Sequence, residues 1–220
     1  MVAYVAYRSN ASPPYIVFSS MRFRAVFVSE GCSFFARYSA RAAARVLRRE
    51  GVRCAVFPPE YPHRKLFAQY GVTAPSLAPL YRASAAGITR RYMEQRGMDA
   101  HCATVTFAAQ SVTPELSRCV ETLCSEIRYI SLSVPRGGDS LVERLRIRYG
   151  VAASSAAPHA DITIVFDDTP ADGEALCLND TLGVVFDSEH PNELLAALYL
   201  AGALDADALR VSSVTPTAGG

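Results

Sequence analysis

Lysine is almost missing from this chain: Lys65 is the one lysine among 22 basic residues. A bias that steep, beside so much alanine, reads as a GC-rich coding preference rather than as guanidinium-specific recognition. Net charge is nearly missing too, at +1. The whole-molecule field therefore makes no case for nucleic acid or an anionic membrane as a partner. No apolar run reaches the roughly 18 residues that a membrane helix needs. Residues 1–20, MVAYVAYRSNASPPYIVFSS, lack a basic start and an unbroken apolar core, so they do not read as a secretory signal. None of the six cysteines forms a CxxC pair. With no secretory signal, these features imply a reducing cytoplasm and free thiols. The chain has no GxxxxGK[ST], no GxGxxG, no HExxH and no spaced histidine pair. Each absence removes a ready-made class: P-loop hydrolases, fingerprinted dinucleotide enzymes and zincins.

What is present is length and periodicity. At 220 residues, half of them hydrophobic, the chain can bury a core without metal or disulfide staples. The founding stretch is Arg22 to Pro58. Phe23–Val28 is a strand, and Ser29-Glu30-Gly31-Cys32 is a turn. A helix follows, capped by Ser33 or Ser29 and stopped by Gly51. In it Phe34, Phe35, Tyr38, Ala42, Val46 and Leu47 recur at three- and four-residue spacing and read as the buried face. Arg37, Arg41, Arg45, Arg48 and Arg49 read as an ordinary solvated face. Val52–Phe57 completes a βαβ unit.

Further strands are expected at 102–108, 129–134 and 161–166, and helices at 64–70, 80–96, 113–127, 139–149 and 192–204. Residues 174–178 and 182–186 read as a hairpin around Asn179-Asp180. The alternation implies an α/β, Rossmann-like three-layer sandwich with a mostly parallel sheet and an antiparallel hairpin near the C-terminus. One domain is expected over 21–210. Residues 1–20 read as a flexible or non-native extension, with an edge strand at Tyr15–Ser19 as the alternative, and 211–220 read as a disordered tail.

In open parallel sheets ligands sit beyond the carboxyl ends of the strands. The candidate ligand-binding residues are therefore Ser29, Gly31 and Cys32 after the first strand, Arg136, Gly137 and Gly138 before a helix start, and Asp167 at a strand end. Paired glycines let a backbone approach an anion, and Arg136 adds a forked donor. Asp167, with its neighbour Asp168, is the candidate for ribose hydroxyls, although the acid of a dinucleotide fold ends the second strand. FVSEGCSFFAR resembles in part the phosphate loop of low-molecular-weight protein tyrosine phosphatases. That family has its cysteine directly after the strand, then five residues, then arginine. Here Ser29 holds the first place and only four residues separate Cys32 from Arg37, so no activity is carried over.

Asp187-Ser188-Glu189-His190 reads as a polar helix cap ahead of Pro191. The expected function is the binding of a small anionic ligand, such as a nucleotide, with catalysis open and no cofactor assigned. The alternative is a protein-interaction module, homodimeric through the apolar helix LLAALYLAGAL. Neither nucleic acid nor membrane is an expected partner.

Overall fold

A computed structural model describes residues 1–8, 13–155, 160–167, 169 and 174–216. It begins with strands β1 (Val2–Tyr7), β2 (Tyr15–Phe18) and β3 (Met21–Val28), helix α1 (Phe34–Arg49), strand β4 (Cys54–Val56) and helix α2 (Arg64–Gln69). Helices α3 (Ala78–Ala83) and α4 (Ala85–Gln95) follow, then β5 (Thr104–Ala108), α5 (Pro114–Leu123), β6 (Tyr129–Ser133), α6 (Gly138–Tyr149) and β7 (Ala152–Ser154). The last elements are β8 (Ile162–Val165), β9 (Ala175–Cys177), β10 (Gly183–Phe186), α7 (Asn192–Leu200), a 3-10 turn at Ala206–Ala208 and β11 (Val211–Thr215). Where the sequence reading has one domain over 21–210, the chain folds as two compact units. One comprises Met1–Ser76 with Glu189–Asp205, the other Leu77–Ser188 with Ala206–Gly220.

The first unit is built on a four-stranded sheet in the order β2-β3-β1-β4. β1 runs parallel to both β3 and β4, and β2 is antiparallel to β3. The stretch read as an extension thus supplies an inner strand. Its alternation shows why. Ala3 and Val5 join the cluster under α1 and α2, while Val2 and Tyr4 pack on the opposite face. A strand with apolar residues on both faces belongs between two layers. The opposite layer is α7, whose Leu194, Ala197 and Leu198 cover Phe23 and Val56. Leu194–Leu198 are all buried, while Leu200 at the end of the same helix is 56% exposed.

Helix α1 begins where Ser33 accepts the Ala36 N–H at 3.2 Å. It then turns a different face inward from the one its large residues suggest. Ala36, Ala40, Ala43, Ala44 and Leu47 are buried, while Phe34 and Phe35 are each 78% exposed and Tyr38 is 67% exposed. The layer beneath is already filled by Phe57, Tyr61, Leu66 and Phe67, so methyl groups fit where rings would not.

The second unit carries a five-stranded sheet in the order β7-β6-β5-β8-β9, parallel throughout. Counted within the unit, that is the Rossmann order 3-2-1-4-5. Helices flank it. Thr113 caps α5 by accepting the Leu116 N–H, with Pro114 at the first helical position. Leu116, Cys119, Val120 and Leu123 are buried as their spacing requires. Gly150 ends α6 in the left-handed conformation, φ 66°.

Two expectations about the later strands change. Residues 175–177 do not form a hairpin with 183–186: β9 adds parallel to β8, and β10 pairs antiparallel with β11. The turn itself is real, since the Asn179 side chain accepts both the N–H and the hydroxyl of Thr181. The open edge of the parallel sheet, however, supplies β9 with a ladder already in register. β11 lies in the segment read as a tail. No helix of the described residues is long and apolar enough to cross a membrane.

Candidate functional site

A doubly wound sheet opens a crevice where neighbouring strands send their connections in opposite directions. In the second unit that point lies between β5 and β8. β5 leads through α5 to β6 on one side, and β8 leads to β9 on the other. The residues at the carboxyl ends of β5 and β8 are Ala109–Thr113 and Phe166, Asp167 and Thr169.

Asp167 organises the crevice. One carboxylate oxygen accepts the Gln110 N–H at 2.5 Å. The other accepts the Thr169 N–H at 3.0 Å and the Thr169 hydroxyl. Burial works to raise this carboxyl. The Gln110 and Thr169 amides, the Thr169 hydroxyl and the charge of Arg82 outweigh it and hold the group below the ordinary aspartate value. Asp167 is thus a fixed anion that ties the two strand ends together, with each of its oxygens accepting at least one bond. It also ends the fourth strand in Rossmann order, not the second. Asp168 and His159 lie outside the described residues.

Arg82 reaches this corner from α3. That helix starts at the same edge, because Asp180, just beyond β9, accepts the Leu77 and Ala78 N–H groups at 2.6 and 2.9 Å. Arg82 is half-buried, and its Nε is enclosed with no hydrogen-bond partner. Its charge acts on Asp167, yet it forms no ion pair among the described residues.

Arg136, Gly137 and Gly138 stand beside β5's turn. Ser111 and Arg136 form a parallel bridge, and Val112 donates its N–H to the Arg136 carbonyl at 3.1 Å. The glycines have packing reasons of their own. Gly137 has φ 85°, and a Cβ there would stand 3.3 Å from Val112 Cγ2. A Cβ on Gly138 would stand 3.1 Å from Val134 Cβ. The Arg136 side chain is exposed.

Ser29, Gly31 and Cys32 belong to the first unit, at the carboxyl end of β3. The Ser29 N–H donates to Ser39 Oγ at 3.2 Å. His63 Nε2 lies 3.2 Å from the Gly31 carbonyl, which can only accept, so that nitrogen carries the proton. Cys32 is exposed. The seven sequence candidates therefore fall into two sets on two sheets: Ser29, Gly31 and Cys32 on one, and Arg136, Gly137, Gly138 and Asp167 on the other. The same edge of the first sheet carries a tight polar knot. Glu193 pairs with Arg64 and accepts the Phe57 N–H at 3.1 Å, and Arg64 lies over the Phe57 ring. Tyr61 is buried there with its hydroxyl unpartnered, and burial pushes the phenol up to about 12.

Arg82, Gln110 and Thr169 were not singled out from the sequence. Gln110 was findable, as part of the turn after a strand. Arg82 carried no local signal, since only the sheet order brings α3 beside the end of β8. The capping position of α7 is Pro191, one residue beyond the expected cap at 187–190. Among the described residues no cluster of three or more His, Cys, Asp or Glu is placed to hold a metal.

No protein-family model matches the chain, and no curated protein matches it. Among solved structures it is similar to one described as "Structure of shikimate 5-dehydrogenase-like protein HI0607". The identity is 10% and the TM-score 0.27, over 65% of this chain and 55% of that one. The fold assignment therefore rests on strand order and pairing within each unit.

Proposed function

We propose that the second unit binds a small anionic ligand in the crevice beyond β5 and β8. Arg82 is the anchoring cation and Arg136 a second one. The observation that supports this most is the state of Arg82. A guanidinium with an enclosed, unpartnered donor is costly to leave unmatched, and a carboxylate or phosphate matches its planar fork. Asp167 faces the same corner, and its bonds to Gln110 and Thr169 order the loop.

The turn that would cradle a pyrophosphate reads Ala109-Gln110-Ser111-Val112-Thr113, with no glycine. Each Cβ there keeps a diphosphate away from the backbone. The ligand class is accordingly a carboxylate or a single phosphate group, and a dinucleotide is disfavoured. The reading is one of binding and assigns no reaction.

A thermal-shift series with inorganic phosphate, mononucleotides, short carboxylates and dinucleotides tests it. A monophosphate or carboxylate at a hundredfold above its Kd should raise Tm by about 5 °C or more. Arg82→Gln should abolish that rise. No shift with any compound, or a full shift in the variant, overturns the proposal. A second reading, as a module for macromolecular contact, is favoured by a different observation: the aromatic rings that α1 holds out to solvent.

A further inference from the structure

We infer that the outward face of α1 is a track for single-stranded nucleic acid. The face has two adjacent ridges. Arg37, Arg41, Arg45 and Arg49 follow one another at four-residue steps, about 6 Å apart along the axis. Phe34, Tyr38, Ala42 and Val46 form the neighbouring ridge at the same spacing. All eight side chains are exposed.

The arginines have no counter-charge of their own. α1 contains no acidic residue. None of Arg37, Arg41, Arg45, Arg48 or Arg49 forms an ion pair among the described residues. The acid at the end of the helix, Glu50, is already held by both arms of Arg24, each at 2.9 Å. Like charges at four-residue spacing repel, and a polyanion would relieve that repulsion.

The near-neutral chain conceals an uneven distribution. The first unit holds 11 basic against 6 acidic residues, and the second holds 11 against 15. The expectation of no nucleic-acid partner rested on the overall balance. Within this unit the acids that would balance the arginines are missing.

The second ridge selects among polyanions. Phe34 and Phe35 meet edge to face at 6.1 Å, and with Tyr38 they stand well out into solvent. An open groove of about 570 Å³ runs beside them, lined by Arg8, Phe27, Phe35, Tyr38 and Val46. Exposed rings beside a row of guanidinium groups are the parts single-strand binders use, phosphates along the charges and bases stacked on the rings. An acidic peptide offers no flat faces for these rings. A bilayer surface calls for one continuous apolar face, and here arginines share the outward side with the rings.

Fluorescence anisotropy of a labelled oligothymidylate with the full chain provides the test. Binding is expected, with a log–log salt slope of about −3 for four to five phosphates on a single strand. Arg41→Gln/Arg45→Gln should make that slope shallower by about 1.4. Phe34→Ala/Tyr38→Ala should weaken binding at least about tenfold while leaving the slope unchanged. Far-UV circular dichroism checks that both variants keep their helix content. The inference is overturned by absence of binding at low salt, or by an aromatic double variant that binds as tightly as the parent. It is equally overturned by polyglutamate or anionic vesicles competing as well as the oligonucleotide. Those last outcomes would assign the face to an acidic protein segment or to a membrane surface.

Discussion

At the scale of single residues, the second unit's crevice turns on Asp167. Its acceptor bonds explain both why the loop holds and how it responds to acid. The folded-state pKa lies below the ordinary value of about 3.9. The stability it contributes is therefore complete above that value and is lost as pH falls through the folded one. Asp167→Ala should cost about 1 kcal/mol near neutral pH, as the Gln110 and Thr169 amides lose their acceptor. In urea denaturation the gap between variant and parent should close below about pH 4. A gap that persists at low pH would show that the carboxylate is not the source. Tyr61 offers the opposite sign. Its phenol is raised to about 12, so stability should be flat to about pH 10 and fall as the unfolded chain's tyrosine ionises first. Tyr92 is raised as well, by burial and its bond to Glu174, so ultraviolet titration should find a late-titrating fraction that Tyr61→Phe reduces without abolishing.

At the scale of elements, α1 is the instructive case. Two stripes recur at helical spacing on it, one of alanine and one of phenylalanine, tyrosine and valine. Periodicity reveals that a helix exists, but not which stripe goes inward when the larger one meets a layer already filled with rings. Leu47→Ala should cost about 2–5 kcal/mol, and Phe34→Ser should change stability by less than about 0.5 kcal/mol. Equal costs would mean that the rings are buried after all. The same distinction separates what was legible elsewhere. The cap at Thr113, the proline at 114 and the glycine stops at 51 and 150 are local chemistry, and they were readable. β7, three residues long, is a strand because a neighbour offers a ladder, and no local pattern marks it; β9 was legible as a strand, but its parallel partner β8 was not. The site was half-legible for the same reason. Gly137, Gly138 and Asp167 stood out as turn residues and Gln110 was findable as one, but Arg82 follows only from strand order. Ser29, Gly31 and Cys32 went to another sheet.

At the scale of the whole molecule, the chain leaves the first unit after Ser76 and returns to it at Glu189. That unit is therefore finished by a helix far from the rest of it in sequence. Leu198→Asp should expose Phe23 and Val56 beneath α7. Thiol labelling read by mass spectrometry should then find Cys54, in the first unit, modified faster than in the parent. Cys119 is buried in the second unit, where burial pushes its thiol up, and it should stay protected. Simultaneous labelling of both would show that the two cores open together.

The central claim is that the second unit's crevice, between the ends of β5 and β8, takes a small anion on Arg82. The most direct measurement is an amide and guanidinium NMR titration of the full chain with the anion that raises Tm. The account predicts shifts in the Arg82 Nε–H and in the Gln110, Ser111 and Thr169 amides, saturating together and absent in Arg82→Gln. Saturating shifts that leave Arg82 Nε–H and these amides unmoved would contradict it.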